Sequence, residues 1–337
     1  MRFMSVPDII ESFSGEYAFL SNFAWTPVMF EGIEYPTAEH AFAAAKTTDD
    51  EMRRKIALTS KPGEAKRYGR SVALRPDWDK RVRYEAMAEI LRSKFGKETH
   101  EERRMFRTKH RTWLQSTGDA LLVEGNRHHD NHWGDCSCPE HRETPGANHL
   151  GRLLMAIRST LREDGPERWV RVGVTGHRDL DGDDRRWVSS ELDRVLRKLR
   201  AKHGATTLIN GMAMGADLLA AEAADRGGLS TWAYMPFPDQ AANWPASWQE
   251  RYEDALNSAS RRVMLGVTPA IGGPRNRYLA LLFGRNNLIV RDSDVIVAVH
   301  DKRRTTGGTV HAVKRARSEG LPVITLDPVS RTVTIHR

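Results

Sequence analysis

Apolar and polar positions along the chain change their period near residue 165, and the change divides it in two. Up to about residue 162 the spacing is mainly helical, behind a short strand-like start. Val28-Met29-Phe30 runs into a turn at Glu31-Gly32. Thr37 stands as an N-cap before the Ala-rich run from Ala38 to Lys46. Helical spacing returns over residues 50–59 and 80–96, and in the second of these Val82, Met87, Ile90, Leu91 and Phe95 share a face. Residues 124–149 are polar and carry Gly, Asn, His and Pro, which predicts a long loop. Loops of that length inside a compact domain are usually functional or disordered. Leu150 to Leu161 closes this half as an amphipathic helix.

Arg162-Glu163-Asp164-Gly165-Pro166-Glu167 is short, charged and contains Gly-Pro, as a linker does. Beyond it the pattern alternates. Trp169–Val174, Thr206–Ile209, Ser230–Tyr234, Asp294–His300 and Pro322–Leu326 read as strands. Leu192–Leu199, Leu218–Ala224 and a segment opening at Thr305 and running to Ser318 read as helices. The expectation is a mainly α N-terminal domain over 1–163, a linker at 164–168, and an α/β Rossmann-like domain over 169–337 with a doubly wound parallel sheet.

Composition supports two cores: 39% of residues are hydrophobic, including nine Trp and ten Phe. No apolar run approaches 20 residues and MRFMSVPDIIESF has no leader-like apolar stretch, so no membrane association is expected. The two cysteines, Cys136 and Cys138, are too close to staple distant segments, which fits a reducing, cytoplasmic setting. The net charge of +8 arises almost wholly beyond residue 165, and it reads either as a solvated basic surface or as attraction to phosphate-bearing partners. No dense basic block with interleaved aromatics marks a dedicated polynucleotide groove.

Glu39 and Lys46 are seven residues apart on one helix, close to two turns, so both are expected on the same face. Spacing alone favours a solvated surface pair. The surrounding text carries more. Ser21-Asn22-Phe23, Tyr35-Pro36-Thr37-Ala38-Glu39-His40, Ala45-Lys46, Lys66 with Gly69-Arg70, Arg75-Pro76-Asp77-Trp78, Lys94-Phe95, Asp130-Asn131-His132-Trp133-Gly134 and Asn148-His149-Leu150-Gly151 occur in order. Together they resemble the NADAR family over about residues 8–162. The resemblance implies a helical enzyme domain that hydrolyses N-glycosidic bonds. The family's activities include release of ribose phosphate from early riboflavin intermediates and of ADP-ribose from guanine bases.

Carried over by motif, Glu39 matches the family's catalytic glutamate, Lys46 the lysine that follows it, and Asp130 a pocket carboxylate. Asn22, Lys66 and Arg70 match positions suited to ribose and phosphate, and Trp78 an aromatic of the pocket; Phe23, Trp133 and Asn148 join them as expected substrate contacts. The residue types suit the chemistry. Breaking the bond puts positive charge on the sugar, which one carboxylate stabilises while another activates water or protonates the leaving nitrogen. A sugar on an exocyclic amine can also open to an imine, which a desolvated Lys46 amine can attack.

His128, His129, His132, Cys136, Cys138, His141 and His149 crowd the long loop. The C-x-C spacing is not the usual zinc spacing, and adjacent His128 and His129 direct their rings apart. The expectation is a polar active-site loop with no metal, and no cofactor is expected either.

Three Gly-rich segments end strands in the second half: Gly173-Val174-Thr175-Gly176-His177-Arg178, Asn210-Gly211-Met212-Ala213-Met214-Gly215-Ala216-Asp217, and Gly307-Gly308-Thr309. In an open parallel sheet such loops meet where ligands bind. Glycine admits phosphate close to backbone N–H groups, although tight turns need glycine too. With Gly284-Arg285-Asn286-Asn287 they resemble the SLOG superfamily of Rossmann-like nucleotide sensors over about 168–330. Relatives that release nucleobases carry Pro-Gly-Gly-x-Gly-Thr-x-x-Glu; here Thr306-Gly307-Gly308-Thr309-Val310-His311-Ala312 lacks one glycine and has Ala312 in place of the glutamate. Binding rather than catalysis is therefore expected, at Gly173, Thr175, Gly176, Arg178, Gly211, Met212, Gly215, Asp217, Arg285, Asn286, Gly307, Gly308 and Thr309. The expected ligand is a nucleotide or ADP-ribose-type molecule, and any oligomer would form through this half.

The functional expectation is an N-glycosidase acting on ADP-ribosylated guanine, free or in nucleic acid. The competing readings are an N-glycosidase of ribosylamino-pyrimidine riboflavin intermediates and a non-catalytic sensor of NAD or ADP-ribose derivatives.

Overall fold

The computed structural model describes residues 6–96, 101–161, 168–269 and 275–336. The expected linker lies outside the described residues except for Arg168. The chain forms two compact units. The first comprises 1–126, 132–135 and 148–164; the second comprises 127–131, 136–147 and 165–337.

In the first unit β1 (Ile9–Ile10) pairs in parallel with β4 (Leu121–Leu122). β2 (Trp25–Phe30) and β3 (Ile33–Thr37) form a hairpin with Phe30 opposite Ile33. Its two-residue turn places Glu31 at φ 44° and Gly32 at φ 78°, the doubly positive pattern that matches strand twist. Thr37 then caps α1 (Ala38–Ala44), its Oγ1 accepting the His40 N–H at 3.3 Å. The helices α2 (Asp50–Ala57), α3 (Pro62–Ser71), α4 (Arg83–Phe95), α5 (Glu101–Ser116) and α6 (His149–Thr160) complete the unit. Every residue of α1 is buried. Its neighbour α3 comes close because residue 69 is glycine: a Cβ there would lie 2.9 Å from that of Ala43. The core gathers Leu20, Tyr35, Met87, Ile90, Leu91, Phe95 and Leu154.

The long loop begins with β5 (Gly125–Asn126) and contains β6 (Asp135–Cys136). Its residues 136–147 belong to the second unit, held by a helix there, α10 (Arg275–Asp292). Arg291 Nη1 donates to the Gly146 carbonyl at 3.1 Å, and Arg277 pairs with Glu143 at 3.3 Å.

The second unit is built on seven strands: β7 (Arg171–Gly176), β8 (Thr207–Asn210), β9 (Ser230–Met235), β10 (Arg261–Met264), β11 (Val295–Val299), β12 (Val323–Asp327) and β13 (Thr332–His336). Their order is β10-β9-β8-β7-β11-β12-β13, parallel except for β13. Four more helices, α7 (Gly182–His203), α8 (Ala216–Gly227), α9 (Ala246–Ser258) and α11 (Gly308–Ser318), connect them with α10. Strand β11 shows how both faces are covered. Val295, Val297 and Val299 join the core packed by α7, α8 and α9, whereas Ile296 and Ala298 join one packed by Val290, Val313 and Ala316 from α10 and α11. The strand order reverses between β7 and β11, which makes a crevice at their carboxyl ends. Among the described residues, no helix is long and apolar enough to cross a membrane.

Candidate functional site

Helix α1 starts where the hairpin ends, so Glu39 occupies its first turn and is 8% exposed. The Glu39 N–H donates to the Asn22 carbonyl at 2.9 Å, which fixes the Ser21–Phe23 turn beside the acid. Lys46 does not lie on α1: the helix ends at Ala44, and Thr47 N–H closes a tighter turn onto the Ala44 carbonyl. The β-branched Thr47-Thr48 and the Asp49 cap of α2 redirect the chain there. The pair is nonetheless brought together. Burial pushes the Lys46 ammonium below its ordinary range, Glu39 opposes that, and Lys66, Arg70 and Asp79 are also within electrostatic reach. Lys66 and Arg70 stand on the exposed face of α3, one turn apart, with Ala65 and Gly69 buried beneath them.

Aromatic side chains pack beside these charges. Phe42 contacts Trp78 and Trp133 at centroid distances of 5.3 and 5.2 Å, and Lys46 Nζ sits 6.0 Å from the Phe42 ring. Trp78 is 6% exposed, so most of its surface is spent on Phe42 and the core. Phe23 is exposed and stacks under Lys66 Nζ at 5.6 Å. Asn22 is buried; its Nδ2 meets the Met87 sulfur at 3.6 Å, and its Oδ1 has no hydrogen-bond partner among the described residues.

Asn148 is a different case. It is fully buried, and its amide ties Leu122 O at 2.8 Å to Glu124 N–H at 3.0 Å. It therefore holds β4 to the start of α6 rather than facing a substrate. Asp130 belongs to the segment that clusters with the second unit, whereas Glu39 and Lys46 belong to the first. His132 and His149 pack with Tyr84 and Trp133 in the first unit, whereas His128, His129 and His141 belong to the second.

One residue quoted in the motif text was given no role from sequence. Lys94 is fully buried, donates to the Ser21 carbonyl at 2.7 Å, and is pushed by desolvation down to about 7 against the pull of Glu124. The signal was present: Lys94 falls on the apolar stripe of Met87, Ile90 and Leu91, where a lysine is out of place.

The second unit holds a cavity of about 440 Å³ at the carboxyl ends of its strands. Thr175, Gly176 and Arg178 line it from the end of β7, Asp217 from α8, Arg285 and Asn286 from the middle of α10, and Gly307, Gly308 and Thr309 from the start of α11. Asp217 is buried and accepts the Gly211 and Ala213 N–H groups at 3.2 and 3.3 Å. Burial raises its carboxyl, and Arg285 acts against that. Arg285 in turn donates to Gly211 O and to Asn286 Oδ1, and Asn286 donates to Gly308 O at 3.2 Å. The loops are thereby locked to one another.

Gly173, Gly211, Met212 and Gly215 do not line the cavity. Gly173 packs under Ser293 and Ile296 inside the sheet, and Gly211 against the Arg285 guanidinium. Met212 is fully buried at φ 51°. Gly215, at φ 87°, lies where a Cβ would come within 2.6 Å of the His177 and Arg178 carbonyls. These four shape the loops and touch no ligand space. Ala312 is buried in the core under α11.

His177, Arg304 and Tyr278 also line the cavity, and sequence reasoning did not select them. His177 Nε2 accepts the Asp301 N–H at 2.9 Å, so the neutral ring carries its proton on Nδ1. Burial, then the Arg304 and His300 charges, push it down to about 4.

A buried acid within electrostatic reach of a half-buried amine, with cations and aromatic rings nearby, can stabilise and exchange protons with a reacting group. Comparison with known proteins agrees. Residues 10–162 match the NADAR domain model. N-glycosidase YbiA of Shigella flexneri and of Escherichia coli are each 38% identical over 152 residues, 44% of this chain and 85% of the relative. A protein of Vibrio vulnificus named for riboflavin biosynthesis is 31% identical over 157 residues, 46% of this chain and 38% of its own length. The NMR structure of Escherichia coli YbiA aligns with a TM-score of 0.39 at 35% identity, covering 48% of this chain and 89% of that one. The chain belongs to the NADAR family through its first half. It is a hydrolase of the N-glycosidase class.

Proposed function

We propose that the Glu39 site hydrolyses the N-glycosidic bond of ADP-ribosylated guanine. The observation that carries this reading is the grouping of buried Glu39 with Lys46, Lys66 and Arg70. The acid stabilises the cationic sugar as the C1′–N bond breaks, water adds to C1′, and the leaving nitrogen takes a proton. Lys66 and Arg70 supply charge for the phosphates of the leaving sugar. The unpartnered Asn22 Oδ1 is an acceptor that a ribose hydroxyl would satisfy, recovering about 1–3 kcal/mol of its burial cost. Asp130, read as a second carboxylate from the family resemblance, is tested separately by Asp130→Asn.

The test is incubation with an oligonucleotide bearing ADP-ribosylated guanine. Wild type should release ADP-ribose, and Glu39→Gln should lose at least about a hundredfold in rate. Turnover by Glu39→Gln at the wild-type rate would overturn the role of Glu39. A second reading, hydrolysis of a ribosylamino-pyrimidine phosphate, is favoured by the name of the Vibrio vulnificus relative. It wins if that substrate is turned over and the oligonucleotide is not.

We infer that the second unit's cavity binds a nucleotide or ADP-ribose-type molecule. Two helix N-termini, of α8 and α11, and Arg178 provide the anion-binding character. With Ala312 in the core where related nucleobase-releasing enzymes place an acid, the cavity is read as a binding site. Calorimetry with ADP-ribose should show binding that Arg178→Ala weakens by about 1.5–3 kcal/mol, roughly ten- to hundredfold. Equal affinity in both chains would remove Arg178 from the site.

A further inference from the structure

We propose that His129, Cys136, Cys138 and His141 form a zinc site that fixes the long loop. The backbone explains how these four meet. Cys136 ends β6 and Cys138 follows two residues later, at a bend. A turn at Pro139-Glu140, closed by the His141 N–H on the Cys138 carbonyl at 3.0 Å, folds His141 back onto them. His129 enters from the other side at φ 61°, a left-handed conformation that turns its side chain toward the same point.

The distances fit a metal. Cys138 Sγ lies 3.3 Å from His141 Nδ1 and 3.5 Å from His129 Nδ1, and the three ligand atoms are all within 4.8 Å of one another. Tetrahedral zinc with bonds of about 2.0–2.3 Å requires neighbouring ligand atoms roughly 3.3–3.8 Å apart. Cys136 lies outside that mutually close group of three but shares hydrogen bonds with the Cys138 and His141 side chains, which makes it the nearest candidate for a fourth ligand. Both sulfurs are buried free thiols. The exposed Glu140 carboxylate lies 3.5 Å from His129 Nδ1 and swings clear if that nitrogen binds metal. Four protein ligands leave no open position, so the site is structural. It would hold residues 129–141, Asp130 among them, in one conformation. The sequence argument against zinc rested on the C-x-C spacing and on adjacent histidines. The bend at Cys138, which sets its sulfur against both His129 and His141, answers the first, and only His129 of the adjacent pair is recruited.

The full-length chain, purified in reductant without added chelator, should carry about one zinc per chain by elemental analysis. Replacing zinc with cobalt should give the thiolate-to-cobalt charge-transfer band and intense visible bands of a tetrahedral site. Both should disappear in Cys136→Ser and Cys138→Ser. In wild type, the two thiols should react with a thiol reagent only after a strong chelator is added, a measurement that needs no variant to fold. Wild type that takes up neither zinc nor cobalt, or thiols equally reactive with and without chelator, would overturn the site. So would folded cysteine variants that keep the full metal content.

Discussion

Burial holds the His177 imidazole neutral, with its Nε2 accepting a backbone N–H. It titrates near 4 in the folded chain against about 6.5 when unfolded. As pH falls the unfolded chain takes the proton first, so this group's contribution to stability is complete above about 6.5 and is lost on the way down to 4. Allowing for partial solvent access, the loss is about 2 kcal/mol. Gln at this position keeps an acceptor for Asp301, so urea melts of His177→Gln should be flatter over that pH range; parallel curves would refute the assignment. Lys46 titrates in the same direction, its ammonium lowered by burial. If its neutral amine captures an opened sugar, borohydride should trap a covalent adduct on wild type and none on Lys46→Arg. Trapping should increase as pH rises toward the lysine's depressed value and then level off. An adduct of equal yield on both chains would exclude Lys46.

At the scale of elements, the crossing of α1 and α3 sets the spacing between Glu39 and the cations on α3, and Gly69 permits it. Gly69→Leu should destabilise the chain by about 1–3 kcal/mol and reduce turnover, read by thermal melting and by rate. A full rate with an unchanged melt would mean the crossing tolerates bulk. Elements with strong local signals were legible in the sequence: the Thr37 cap, the Glu31-Gly32 turn, and the strands around β7, β8 and β11. The apolar stripe of α4 was legible as well, although a π-helical turn at Trp78–Val82 precedes it. Others hid for identifiable reasons. Helix α10 turns Arg285 and Asn286 toward a cavity, so its inward positions are polar and its period is blurred. The first turns of α7 read Gly-Asp-Asp-Arg-Arg, so only residues 192–199 declared themselves. The edge strands β10 and β13 are half exposed and short. The site residues followed the same logic. Glu39 and Lys46 were selected through motif order, whereas Gly173, Gly211 and Gly215, selected as ligand contacts, serve the backbone and only Gly176, Gly307 and Gly308 line the cavity.

For the whole molecule, the excess of positive charge beyond residue 165 has a measurable consequence. An oligonucleotide substrate should be turned over with an apparent KM that rises steeply with salt, while free ADP-ribosyl guanosine responds weakly. Equal salt responses would show that the polyanion is not felt beyond its modified base. The assignment of residues 136–147 bears on how such a chain can be taken apart. The family's text runs unbroken from 10 to 162, yet part of it is buttressed by arginines that arrive more than a hundred residues later. A gene fragment trimmed to the homologous region would leave Gly146 and Glu143 without those arginines. Transplanting that region into a chimera therefore calls for carrying α10 along, or for a substitute brace.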